Sequence, residues 1–520
     1  MARPPVNKWL VAMAVGCGSI MAMVDSSIVN VALPQIQGSV GATLQEITWI
    51  TTGYVIAAIL LMPLVAFLGR RFGQKRVYMI CLGLFLLGSA LCGLARTLPQ
   101  LVAFRVLQGL GGGALQPTEE AILRQTFPKS QQGLAMALSG MIVMLGPALG
   151  PILGGYIVDH LHWSWIFYVS LPVGLFGLAM TGTFVHEDPE ILAKNRARAN
   201  AERSHVDWAG IGMLSTCLAT TEFILEEGQR RDWFDDSLIR VLTFVAVAAL
   251  AGFIARQLTT RTPVMNLRLF KNSTFAAGML LSVSLMAALM ANMFLTSVFM
   301  QEARGFSALQ AALANIPMMV AMLIAIPVAG AVYNHLSPRL TIVAGILVFA
   351  TGAYELSKIT LGMGQWDLAL PMFLEGSGLA LIYVPLETTA FSRIPRHLMA
   401  DAAGLSNVLK ETGGAIGLAL FTSVFVRHTT ATRAVLAAHV GMTNPLVGPT
   451  LQKYAAATPM LASRSASIGY LDAVVGRQAT LIAYQQFFLL VGMMILCLLP
   501  FLVLLKADRT TKVDDETESE

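Results

Sequence analysis

The sequence predicts an all-α integral membrane protein, with fourteen transmembrane helices arranged as two parallel six-helix halves and an inserted helix pair. Three observations predict it. The 520-residue chain is 55% hydrophobic and only 12% charged, with a mean hydropathy of +0.66, whereas a soluble domain is nearer about a quarter charged. A helix needs roughly 20 apolar residues to cross a bilayer. Such runs occur fourteen times, at about 9–33, 46–67, 77–96, 99–122, 133–157, 164–185, 206–225, 237–257, 274–299, 309–335, 340–359, 367–390, 404–427 and 483–506. Finally, motifs in the first six runs return in the last six at a near-constant offset.

Orientation follows from the cations. Lys and Arg concentrate in the even-numbered loops, the first of which carries Arg70, Arg71, Lys75 and Arg76, while the short odd-numbered loops hold only Arg96, Arg230, Arg231 and Arg304. Arg3 and Lys8 precede span 1, and Lys506, Arg509 and Lys512 follow span 14. Both termini are therefore expected in the cytoplasm, with the protein a multi-pass membrane resident. The net charge of +5 is this loop bias. No aromatic-basic patch accompanies it, so no nucleic-acid partner is expected. Cys17, Cys81, Cys92, Cys217 and Cys497 all lie within apolar runs, which argues against disulfides and against a metal site. The first run is too long for a signal peptide and lacks a cleavage pattern, so it should remain as span 1.

The expected domains are a first half with its cytoplasmic linker (1–205), the inserted pair of spans 7 and 8 (206–257), a second half (258–506) and a disordered acidic tail (507–520). The linker, His186 to His205, is mixed in charge. The second half contains a long extracytoplasmic loop, 428–482, with turn signals at Thr443-Asn444-Pro445 and Gly448-Pro449. Short surface helices fit there; a solvated loop is expected, with a docking surface for a periplasmic partner as the alternative.

The repeat has three parts. Span 2 ends MPLVAFLGRRFGQKR (Met62 to Arg76) and span 10 ends IPVAGAVYNHLSPR (Ile326 to Arg339); setting Pro63 on Pro327 gives an offset of 264. Span 4 has Gln108-Gly109 and then PTEE from Pro117, and span 12 has Glu375-Gly376 and then PLET from Pro385, at offsets of 267 and 268. GPALG at Gly146 to Gly150 in span 5 answers GGAIG at Gly413 to Gly417 in span 13, offset 267. The offset covers an even number of spans, so the halves are parallel. That is an arrangement found in transporters, with the substrate site between the halves near the bilayer midplane.

Span 4 bears the chemistry. At 100° per residue, Arg105, Gln108, Gly112, Gln116 and Glu119 fall within about a 60° arc, a polar stripe that suits a cavity or, alternatively, fixes span packing; Pro117 is expected to kink the helix. A charge inside the bilayer costs roughly 2.5–3.5 kcal/mol on insertion scales and is a functional candidate by default. Asp25, the one acid of span 1, lies at a depth comparable to Arg105 by helical rise. The two could exchange partners, making Asp25 a proton carrier, or form a static salt bridge. Glu119 joins them as a proton-coupling candidate. Gln108, Gln116, Glu120, Glu375 and Glu387 are candidates for the substrate cavity, where the acids would favour cations. Span 12 has Met372 where span 4 has Arg105, so proton handling is expected in the first half. GLGGGA, Gly109 to Ala114, matches a dinucleotide fingerprint but follows no strand, and there is no phosphate-binding GxxxxGK[ST]. No ATP site or catalytic constellation is expected, and energy should come from an ion gradient without a cofactor. The 27 methionines would suit an adaptable pocket.

DSSIVNVALP (Asp25 to Pro34), RVLQG (Arg105 to Gly109), GPALGPILGG (Gly146 to Gly155) and WSWIFYVSLPVG (Trp163 to Gly174) together resemble the major facilitator superfamily. They resemble in particular its fourteen-span drug:proton antiporter-2 type, the EmrB- and QacA-like exporters, over nearly the whole chain. The resemblance implies proton-coupled export of amphipathic and hydrophobic compounds by alternating access, with Asp25 and Arg105 carrying the coupling. It implies that Gly146, Pro147, Gly150, Pro151, Gly154 and Gly155 form the packing surface of an antiporter helix. It also implies partners: the lipid bilayer, small-molecule substrates, a periplasmic adaptor (a membrane fusion protein) and an outer-membrane channel. A dedicated exporter of one metabolite, siderophore or fatty acid is the nearest alternative, and a non-transporting sensor a remote one. One motif departs: AFLGRRFGQKR has Ala66 for the usual glycine and Arg70 for the usual aspartate of the loop between spans 2 and 3.

Overall fold

The structure, a computed structural model, describes residues 7–505 apart from 63, 129–130, 187–206, 261–262, 307, 334–335, 365, 396–397, 441–446 and 458–463. The linker from His186 to His205 lies outside the described residues except for His186, and the acidic tail lies wholly outside them. Among the described residues the chain is helical, without a strand. In chain order the helices are α1 (Lys8–Val40), α2 (Leu44–Ile47), α3 (Trp49–Leu61), α4 (Leu64–Phe72), α5 (Gln74–Leu94), α6 (Leu98–Gly112), α7 (Leu115–Thr126), α8 (Gln132–His160), α9 (Trp165–Tyr168) and α10 (Ser170–Phe184). They continue as α11 (Trp208–Glu227), α12 (Ser237–Thr259), α13 (Ser273–Val298), α14 (Ala308–Ala314), α15 (Ile316–Val332), α16 (Pro338–Leu356), α17 (Ala369–Phe391), α18 (Met399–His439), α19 (Val447–Ala457) and α20 (Arg464–Leu496).

Among the described residues, ten helical segments are long and apolar enough to cross a membrane. The predicted spans at 46–67, 99–122 and 309–335 are instead divided among shorter helices, and α8 covers the one at 133–157. Local signals place the ends. Asn7, Asp207, Asp236 and Asn272 cap α1, α11, α12 and α13 with side-chain oxygens that accept from the first free N–H groups. Gly41, at φ 63°, ends α1 in the left-handed conformation, and Thr43 with Glu46 forms a capping box that starts α2.

Two features differ from expectation. Span 4 does not bend at Pro117 but breaks between Gly112 and Leu115. Proline in a helix clashes with the carbonyl four residues back and, lacking an N–H, cannot donate a hydrogen bond to it. For Pro117 that carbonyl belongs to Gly113, so the break falls there and Pro117 itself sits in the first turn of α7. The polar arc drawn along one continuous helix is therefore interrupted between Gly112 and Gln116. Secondly, the segment 428–482 is largely helix: α18 runs on to His439, α20 begins at Arg464, and α19 lies between them. The stretch HTTATRAVLAAH is rich in alanine and lacks glycine or proline, so little opposes continued helix. Arg433 of α18 and Asp472 of α20 pair at 2.8 Å in this extension.

Packing repeats along the chain. α1 lies on α8 as α13 lies on α18, α5 on α6 as α16 on α17, and α3 on α6 as α15 on α17. One apolar core gathers α1, α5 and α7 around Tyr78 and Phe85; another gathers α13, α15, α16, α17 and α20 around Phe349 and Tyr484. A third cluster joins Ile59 of α3, Leu214 of α11, Phe253 of α12 and Leu405 of α18, so α11 and α12 attach along the seam between the two sets. α8 also touches α14, α15 and α17, bridging the sets on another side.

Candidate functional site: buried charges in the helix bundle

Asp25 on α1 and Arg105 on α6 are 2% and 0% exposed, and Arg105 Nη1 meets Asp25 Oδ2 at 2.5 Å. Gln108, one turn along from Arg105, closes a triangle: its Nε2 donates to Asp25 Oδ1 at 2.9 Å, and its Oε1 accepts from Arg105 Nη1 at 2.8 Å. Arg105 Nε donates to the Ile50 carbonyl at 3.1 Å, and the guanidinium lies 4.2 Å over the Tyr54 ring. The cation is thus held by an amide, a carbonyl and an aromatic face as well as by the carboxylate. Neutralising Asp25 would not set Arg105 free. Removing one member of a buried ion pair costs about 3–5 kcal/mol because the other charge is stranded.

Glycine allows the approach of these helices. A Cβ at Gly109 would stand 2.3 Å from the Tyr54 carbonyl oxygen, and one at Gly113 2.1 Å from that of Ala58. The GPALGPILGG face of α8 lies against α1 on either side of Asp25: a Cβ at Gly146 would meet Met23 Cβ at 2.1 Å and one at Gly150 would meet Ser27 Oγ at 1.8 Å, while Gly154 faces Ile28. Gly155 is buried, Pro151 is half-buried, and Pro147 lies in the same helix. The glycines turn toward α1 within their own set of helices.

A second group of charges crosses between the two sets. Lys410 of α18 lies 3.4 Å from Glu387 of α17 and 3.8 Å from Glu120 of α7. Arg124 of α7 is 3.9 Å from Glu387 and stacks 3.9 Å over the Phe391 ring. Ser282 of α13 donates to Glu387 at 3.1 Å. All four charged side chains are buried. The cluster sits near the end of the bundle where α7 and α17 finish and α18 starts.

Glu119 is fully buried beside Ser19 of α1 and Ser139 of α8, with no ion pair among the described residues. It neither joins Asp25 nor pairs with its repeat counterpart Glu387. Gln116 is half-buried beyond the helix break. Of the residues expected to line a cavity, Gln108, Glu120, Glu375 and Glu387 are all packed among protein groups. A narrow apolar cavity beside Glu387 is lined by Ser282, Leu285, Met286, Leu289, Leu379 and Tyr383.

Sequence reasoning did not single out Lys410, Arg124 or Asn292. Lys410 stands in an apolar run and so carried an available signal; Arg124 reads as one more cation at a span end. Asn292 had a subtler one: it lies 267 residues after Asp25, as Glu375 lies 267 after Gln108. Its Nδ2 donates to Glu375 Oε2 at 2.8 Å.

Comparison with known proteins follows the same lines. The family described as Major Facilitator Superfamily matches residues 15–418. The multidrug export protein EmrB of Escherichia coli (strain K12) is 31% identical over 84% of each chain. The fatty acid resistance protein FarB of Neisseria gonorrhoeae is 28% identical over 97% of this chain and 98% of its own. The solved structure of the proton:xylose symporter XylE superposes with a TM-score of 0.59 at 14% identity, covering 96% of this chain and 99% of that one. At that identity the likeness concerns the fold.

Proposed function

Since the chain belongs to the major facilitator superfamily, we propose that it exports amphipathic, hydrophobic drugs and other toxic compounds in exchange for protons. The observation that carries the reading is the Asp25–Arg105–Gln108 triangle, a charged and hydrogen-bonded group enclosed within an apolar bundle. Similarity to EmrB supports multidrug export, and similarity to FarB along almost the whole chain supports a second reading, a dedicated exporter of fatty acids.

In this mechanism a proton entering from outside neutralises Asp25 and breaks its pair with Arg105. Arg105 stays in place on Gln108, Ile50 and Tyr54, so the change is felt by α1. Through the glycine face of α8 it passes to α14 and α15. The six-span halves then rock about the seam, with α11 and α12 as the inserted pair. Fourteen spans with both termini in the cytoplasm put the Glu120–Arg124–Glu387–Lys410 cluster at the inner face, where it holds the two halves together until cationic substrate or a proton competes for its carboxylates. In a bacterial inner membrane, the helical extension at 428–482 would face the periplasm, in reach of an adaptor leading to an outer-membrane channel.

Asp25→Asn tests the coupling. In inside-out vesicles the variant should lose gradient-driven accumulation of ethidium while retaining downhill exchange. Accumulation at the wild-type level would exclude Asp25 as the coupling carboxylate. Competition of fatty acids and unrelated drugs against ethidium separates the two readings, since a dedicated exporter answers to one class alone.

A further inference from the structure

Asp25 and Gln108 have counterparts 267 residues on, Asn292 and Glu375, which also meet through a single amide-to-carboxyl hydrogen bond, 2.9 Å in one case and 2.8 Å in the other. The acid and the amide have changed places. In the first bundle the carboxylate is on α1 and the amide on α6; in the second the amide is on α13 and the carboxyl on α17. Arg105 has no counterpart, because Met372 takes its position.

We propose that Glu375 is a second proton-carrying carboxyl, the counterpart of Asp25 with acid and amide exchanged. The proposal rests on the proton-coupled reading and extends it to the second bundle. Glu375 is 0% exposed, and the helices around it bring no cation. α13 and α15 contain no ionisable residue at all, and α16 has Arg339, Tyr354 and Glu355 only near its two ends. Arg339 is engaged there with the Leu505 carbonyl, and Glu355 with Lys358. On α17 itself, Glu387 and Tyr383 belong to the bridging cluster with Lys410. The surfaces packed onto the Glu375 turn are Gly352 of α16 and the Met318 carbonyl of α15, which meets Gly376.

An ionised carboxylate without a cation at this depth would strand a full charge, and a buried acid takes up a proton instead. The hydrogen bonding agrees. Among the described residues, Glu375 Oε1 and Asn292 Oδ1 are both buried acceptors without a donor, and a proton on the carboxyl supplies one. When the bundles part and water reaches α17, the neutral acid can release that proton and take up another, with no other group changed. Asp25 and Glu375 then give each bundle one carboxyl, faced by an arginine in the first and by apolar helices in the second.

The test uses the full chain in liposomes. By infrared spectroscopy at neutral pH, Glu375→Gln should remove a component of the protonated-carboxyl C=O absorption that Asp25→Asn leaves in place. With ethidium as the transported probe, the ratio of proton to dye flux should fall by one proton per cycle in Glu375→Gln. Adding Asn292→Asp to Glu375→Gln moves the acid to the α13 side and should restore the ratio. Wild-type protein that couples to protons, with absorption and ratio unchanged in Glu375→Gln, overturns the assignment and leaves the coupling reading intact. Wild-type ethidium transport without proton counterflow overturns both. Should Glu375→Gln fold poorly, the double variant decides alone: no regain of wild-type flux ratio counts against the proposal.

Discussion

The two bundles place an acid–amide pair at corresponding points and treat its charge in opposite ways. Around Asp25 the chain supplies Arg105, the Ile50 carbonyl and the Tyr54 ring; around Glu375 it supplies Met372, Gly352 and apolar helices. The helix pairings and the close glycine approaches recur while the electrostatics are inverted. A helical repeat is kept by small residues and apolar contact, which depend on shape. Charge is set by one or two side chains, so it diverges without cost to the fold.

Making the first site resemble the second should have the largest effect. Arg105→Met strands Asp25 beside Gln108, with a stability loss of about 3–5 kcal/mol while the acid stays ionised. Thermal inactivation in detergent should show the loss, and it should shrink as pH falls, because protonation removes the stranded charge. Stability that is indifferent to pH would mean that Asp25 is already neutral. Lys410→Met comes next, by the same reasoning applied to Glu120 and Glu387. It should loosen the contact between bundles, read as faster labelling of cysteines placed at that seam. Smaller and matched effects are expected from Gly109→Ala and Gly376→Ala. Each new Cβ would stand 2.3 Å from a carbonyl oxygen, of Tyr54 and Met318 respectively, and overpacking costs typically about 1–3 kcal/mol. A large difference between the two would break the claim of preserved geometry. Glu375→Leu should cost a comparable amount, on the order of 1–3 kcal/mol for the amide of Asn292 left unpaired, and without the pH dependence of Arg105→Met.

Much of this was legible in residue order. Apolar runs, loop cations and a recurring offset located the helices, and helical rise alone set Asp25 level with Arg105. The same one-dimensional reasoning failed where a second helix had to be known. Helical periodicity carries the polar arc of span 4 straight through Gly113, where Pro117 interrupts the backbone. Glu120 and Glu387 read as cavity acids because Lys410, on a different helix from either, meets them only in the fold. The segment 428–482 contains turn residues, but the alanine-rich run before them extends α18 to His439.

Composition and periodicity by themselves determined that the chain lives in a bilayer, that it is helical, and that its ends repeat, because burial of apolar side chains and internal hydrogen bonding are properties of one helix at a time. Only the tertiary structure decided which buried charges are neutralised by which partners. That depends on separations of a few ångströms between residues 80 or more positions apart, and at low dielectric those separations outweigh everything the residue types alone would suggest. Asp25 and Glu375 are both acids in apolar helices; what distinguishes them is the arginine across from one and its absence across from the other.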